Sequence, residues 1–211
     1  MVRMADNTFD IKGGSNQILP NGTEANQYNT HIDELHVLQE PKVFYGSRQS
    51  RMGAYFERLH KEIEDKTTRE IMDDLLFYIT KLDGTKGLEE KLKDGGFSPS
   101  FINSAMRKKE QYFKKATKYS CYPSAQSINL LIFTDIMNYY EVYIEPMIKQ
   151  EKPVEEVMQC IQEKVVKPIM DDLNANGAAD EDLQYTSDHI YGMIYYLTGR
   201  CHINWTNYDD I

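Results

Sequence analysis

Apolar positions follow two regimes along the 211 residues. From about Ser47 onward they recur every three or four positions, the spacing that lines one face of an α-helix. Met52, Tyr55, Phe56, Leu59 and Ile63 form the first stripe. A second helix is expected from about Thr68, with Ile71, Leu75, Leu76, Ile79 and Leu82 inward, stopping at Asp83-Gly84. A short piece at residues 88–92 ends at Gly95-Gly96. Ser98-Pro99 is a start signal, because the hydroxyl can accept an orphan N–H and proline is preformed for the first helical position. The helix that follows carries Phe101, Ile102, Ala105, Tyr112 and Phe113 to about Tyr119. Pro123 separates it from the most apolar stretch, residues 125–149, and Pro153 opens another over residues 154–173. Pro146 and Pro168 fall inside these two patterns and predict a kink in each, since proline has no N–H and its ring strikes the preceding turn. A last helix spans about residues 187–198, with Gly199 expected as its stop in the C′ position. Beyond it Cys201, Ile203 and Trp205 alternate with polar neighbours, which predicts a short strand-like segment closing the core. The fold class is all-α, a bundle of about five to seven helices over residues 41–211.

Residues 1–40 break this rhythm. The stretch NTFDIKGGSNQILPNGTEANQYNTH has Phe9, Ile11, Ile18 and Leu19 as its only strong apolar positions. Gly13-Gly14 and Asn21-Gly22 are turn dipeptides, and Pro20 breaks any helix. Two extended, β-prone pieces are expected, at residues 8–12 and 17–19. They are too short to fold alone, so the arm is either disordered or ordered by another chain. In the second case it docks by adding to a partner's strand edge or a symmetry mate, with Ile11, Gln17 and Ile18 as contacts.

Charge and composition narrow the function classes. A net charge of -9 opposes a dedicated nucleic-acid binder, whose phosphate contacts need clustered cations. Mean hydropathy is -0.60 and no apolar run approaches a membrane span, nor does the start read as a secretory signal, so a cytoplasmic protein is expected. Three cysteines without paired spacing argue against a disulfide framework and zinc modules. Fifteen tyrosines are many for this length, and their apolar bodies with polar tips suit partner contacts. Tyr139, Tyr140, Tyr143, Tyr195 and Tyr196 are expected to supply such faces in a homo- or hetero-oligomer.

Three constellations invite chemistry. Asp172, Asn174, Asn176, Gly177 and Asp180 fall at positions 1, 3, 5, 6 and 9 of a calcium loop, but position 12 is Leu183 where a bidentate Glu belongs. A polar turn after a helix explains the same residues. Arg107, Lys108, Lys109, Lys114, Lys115 and Lys118 interleave with Tyr112 and Phe113, as in a nucleic-acid track, yet Phe113 continues the apolar stripe and leaves the lysines on a wet face. Cys201 beside His202 suggests a nucleophile and base, as in a small nuclease or Cys-dependent hydrolase. Adjacent residues point apart, and a packed cysteine is the plainer reading. With no P-loop, GxGxxG, GxSxG or HExxH in the chain, no enzyme, cofactor or metal is expected.

The string HIYGMIYYLTGRCHINW resembles the terminal block DIYGMIYYLTGxCHIxW of the C-terminal domains of bacterial ABC-three-component conflict systems, the Lamassu-like anti-phage operons. The similarity runs upstream through FINSAMRKKEQYFKKATKY, SAQSINLLIF and VYIEPMI, about residues 45–205. Tyr191, Gly192, Leu197, Thr198, Gly199, Cys201, His202 and Trp205 match the block. The resemblance implies an ABC- or SMC-type ATPase and an effector as partners, with this domain as the tether. No effector domain precedes it here, which favours an adaptor or regulatory subunit.

Overall fold

The computed structural model describes residues 48–81 and 86–207, within the compact unit Gly46–Ile211. The arm, with Ile11, Gln17 and Ile18, lies outside the described residues. Among these residues the regular elements are helices: α1 (Arg48–Glu64), α2 (Asp73–Ile79), α3 (Leu88–Asp94), α4 (Pro99–Lys118), α5 (Pro123–Tyr139), α6 (Glu145–Lys149), α7 (Val154–Ile161), α8 (Lys167–Asn176) and α9 (Ser187–Gly199). A π-helical turn at Tyr140–Ile144 joins α5 to α6, and another at Gln162–Val166 joins α7 to α8. The described bundle thus has seven continuous helical stretches.

Those two turns are how the chain accommodates Pro146 and Pro168. Glu145 N–H bonds to Tyr140 O, and Lys167 N–H to Gln162 O, each five residues back. The wider turn makes room for the proline ring that follows, which in an α-helix would meet the carbonyl four residues earlier. It also keeps Tyr140, Ile144 and Ile148 buried together.

The second helix departs from its sequence pattern. Residues 67–72 stay outside it, stitched down by the buried Gln126. The amide of Gln126 accepts from Met72 N–H at 2.9 Å and donates to Glu70 O and Ser120 O. The helix starts only at Asp73-Asp74, whose carboxylates suit a helix N-terminus. It buries Leu75 but leaves Leu76 and Phe77 exposed, and Ile71 in the segment before it is exposed too, so the inward assignments of Ile71 and Leu76 are corrected.

α9 lies at the centre, with Ile190 and residues 192–198 all buried. A helix covered on nearly every side has no wet stripe. It crosses α4 at Gly192, where an added Cβ would run into Lys108 O and come 2.8 Å from Tyr112 Cβ. Beside that crossing Asn129 Oδ1 accepts from the hydroxyls of Tyr112 and Tyr185, each at 3.0 Å, and its Nδ2 donates to Ala125 O. These buried polar groups are therefore satisfied. α1 closes the other side on α5 and α8 through Met52, Phe56 and Leu59.

Candidate functional site

The residues after α9 carry most of the distinctive sequence, and their geometry begins with the helix end. Cys201 N–H bonds to Thr198 O and His202 N–H to Leu197 O, with Cys201 in the left-handed region at φ 71°. That is a Schellman stop with cysteine at C′. Gly199 is instead the last residue of α9, which corrects its assignment as the C′ residue. A side chain in this conformation costs about 1–2 kcal/mol relative to glycine, and surrounding contacts must hold it there.

Lys91 supplies one of those contacts. Only 4% of it is exposed, and its Nζ donates to Ile203 O at 3.1 Å. Burial pulls its pKa below the ordinary lysine value, opposed by its hydrogen bond and charge interaction with Cys201. Cys201 Sγ also approaches Lys86 O at 3.8 Å. His202 turns the other way, packing its ring 5.0 Å from Phe77 and 5.5 Å from Tyr78. Burial lowers its pKa, so it is neutral at pH 7, and the backbone of Phe77 and Tyr78 opposes that shift. Cys201 and His202 thus serve different neighbours and form no pair with each other.

No strand forms here, because residues 200–207 adopt turns and irregular backbone. Ile203 and Trp205 are buried nevertheless. Trp205 Nε1 donates to Thr198 Oγ1 at 3.2 Å, and its ring meets Phe97 edge-on at 5.0 Å. Tyr140 OH donates to Asn204 O at 2.8 Å. The left-handed Cys201 turns the chain back across the bundle, and side chains from α3 and α5–α6 hold it there.

The tyrosines divide. Tyr140, Tyr195 and Tyr196 are buried, so they offer no contact surface, because α9 is enclosed and the π turn rotates Tyr140 inward. Tyr139 and Tyr191 are half-buried, and Tyr143 is 42% exposed. The basic run divides as well. Lys108 pairs with Asp188 at 2.8 Å, Lys114 with Glu110 at 3.6 Å, and Lys118 reaches Tyr119 OH. Lys115 donates to Leu183 O. Four of the other five members of the run, all but Arg107, are therefore engaged with α9, with the loop before it, or with α4 and the residue that follows it.

The calcium-loop residues do not converge. Asp172 and Asn176 remain on α8, bonded to each other, while Asp180 caps Asp182, Leu183 and Gln184 N–H. Among the described residues no group of three or more His, Cys, Asp or Glu is placed to hold a metal ion, and no helix is long and apolar enough to cross a membrane. Lys91 is the residue that sequence reasoning missed. Its spacing from Leu88 and Leu92 puts it on the apolar face of α3, a signal open to inspection.

Fold and site define an all-helical domain sealed by its own C-terminal segment. Residues 87–205, more than half of the chain, match the family described as C-terminal domain 9 of the ABC-three component (ABC-3C) systems. The chain belongs to that family. The match takes in α3 to α9 and the closing segment and starts later than the resemblance at residue 45 suggested. No curated protein and no solved structure matches the chain.

Proposed function

We propose that this chain is a non-enzymatic adaptor subunit of a bacterial anti-phage complex, tethering or regulating an effector with an ABC- or SMC-type ATPase. Membership in a three-component system supports a life among partner subunits. The observation that carries the reading is the presence of large apolar side chains left exposed side by side on two elements of the domain. Phe77 is 66% exposed and Leu76 40%, while on the first π turn Val142 is 64% and Tyr143 42% exposed. Large apolar groups grouped on one element mark contact surfaces.

The test is co-purification of the tagged full chain with the products of its neighbouring genes. Leu76→Asp/Phe77→Asp, Val142→Asp/Tyr143→Asp and deletion of residues 1–40 are compared with the parent. Loss of partners in at least one of them, at unchanged melting temperature, supports the adaptor. Full assembly in all three overturns it. A second reading, chemistry at Cys201, draws on the charge interaction of the buried Lys91 with that thiol. Phage protection that persists in Cys201→Ala would remove it.

A further inference from the structure

Three cations meet in a place that neither the packing nor the adaptor reading uses. Lys109 of α4, Lys81 just past α2 and Arg200 at the end of α9 line one open cleft of about 320 Å³. Phe113, Tyr196 and, among the described residues, a single carboxylate, Glu110, share its walls. Among the described residues none of the three cations has an ion pair, and Glu110 also serves Lys114. The Arg200 guanidinium lies over the Tyr196 ring at 5.0 Å. Phe113 stacks on that ring at 6.1 Å and 19°, yet remains 42% exposed. One aromatic face therefore stands beside three positive charges.

Gathering like charges in a half-buried cleft is unfavourable unless something offsets it. Lys109 shows the effect, its pKa lowered first by burial and then by Arg200 and Lys81. A bound anion would remove that repulsion. The cleft is at the small end of the roughly 300–1,000 Å³ typical of small-molecule sites, too small to seat a helix. Cations that fit phosphate oxygens beside an aromatic face that stacks on a base are the two elements of nucleotide recognition.

We propose that this cleft binds a single nucleotide unit, with its phosphate on Lys81, Lys109 and Arg200 and its base on Phe113. The unit can be a free mononucleotide or the terminus of a strand, since the chemistry is shared. This site is independent of the adaptor reading, and its failure would leave the co-purification result untouched.

The experiment is isothermal titration of the full chain with AMP, ATP, inorganic phosphate and a 5′-phosphorylated oligothymidine at low ionic strength. Saturable binding of a nucleotide that weakens with salt is expected. Lys109→Gln/Arg200→Gln should weaken it at least about tenfold, the loss that follows from removing charge-assisted hydrogen bonds. Lys81→Gln, at an exposed position, gives a second variant should the double variant lower the melting temperature. Phe113→Leu should weaken nucleotide but not phosphate. Tighter binding of the oligonucleotide than of AMP assigns the strand end, and the reverse assigns the free nucleotide. The proposal is overturned if no nucleotide binds saturably, if both charge variants bind like the parent, if phosphate binds as well as ATP irrespective of Phe113, or if polyglutamate displaces the nucleotide while Phe113→Leu has no effect.

Discussion

Gly192 and Gly199, seven residues apart on α9, should respond to alanine in opposite ways. At Gly192 the new Cβ would meet Lys108 O and lie 2.8 Å from Tyr112 Cβ and 3.0 Å from Lys108 C, where ordinary contact begins near 3.4 Å. Two of those three obstacles are backbone, which no rotamer change can move. α4 and α9 would have to part by more than half an ångström at their crossing, and overpacking of this kind costs about 1–3 kcal/mol. The better helix propensity of alanine returns at most about 1 kcal/mol. For a chain of this size each kcal/mol shifts the melting temperature by roughly 2–4 °C, so Gly192→Ala should lower it by several degrees. At Gly199 the nearest atom is Leu88 Cβ at 3.7 Å, an ordinary contact, and the residue is helical. Gly199→Ala should therefore be neutral or slightly stabilising. Thermal unfolding followed by circular dichroism reads both. An unchanged melting temperature in Gly192→Ala, or a loss in Gly199→Ala as large as that in Gly192→Ala, would refute the helix-crossing argument and the reassigned helix end.

Two further outcomes follow from the buried polar groups. Burial holds His202 below the ordinary histidine value of 6.5, so between its folded and unfolded values the unfolded chain binds the extra proton. Stability should therefore fall as pH drops through 6.5, and His202→Asn should flatten the slope in urea unfolding; parallel slopes in parent and variant would count against it. Asn129→Leu strands the hydroxyls of Tyr112 and Tyr185, at about 1–3 kcal/mol for each unsatisfied buried group. Adding Tyr112→Phe and Tyr185→Phe should recover part of that loss, and a single variant as stable as the parent would show that the hydroxyls find other partners.

Much of the fold was legible because helical periodicity and capping are local. Ser98 accepts from Phe101 N–H at 3.3 Å with Pro99 at the first position, as that dipeptide indicates. The pattern misled where a long-range partner competed. Gln126 holds residues 70–72 away from the helix that their apolar spacing predicts, and the prolines at 146 and 168 are absorbed by π turns that periodicity alone does not distinguish from kinks. The tyrosines were misjudged for a related reason, since the count of aromatic residues does not say which helix will be enclosed.

What the sequence determined by itself was the helical class, most of the element boundaries and the kinship carried by the closing block. Each of these rests on neighbours within a few positions, where backbone geometry leaves little choice. Tertiary structure decided the rest: the left-handed Cys201 with Lys91 beneath it, the crossing at Gly192, and the meeting of Lys81, Lys109 and Arg200 in one cleft. Those groups come from helices far apart in the chain. Only the packing of the whole bundle, which minimises exposed apolar area without regard to sequence distance, brings them within reach of one another.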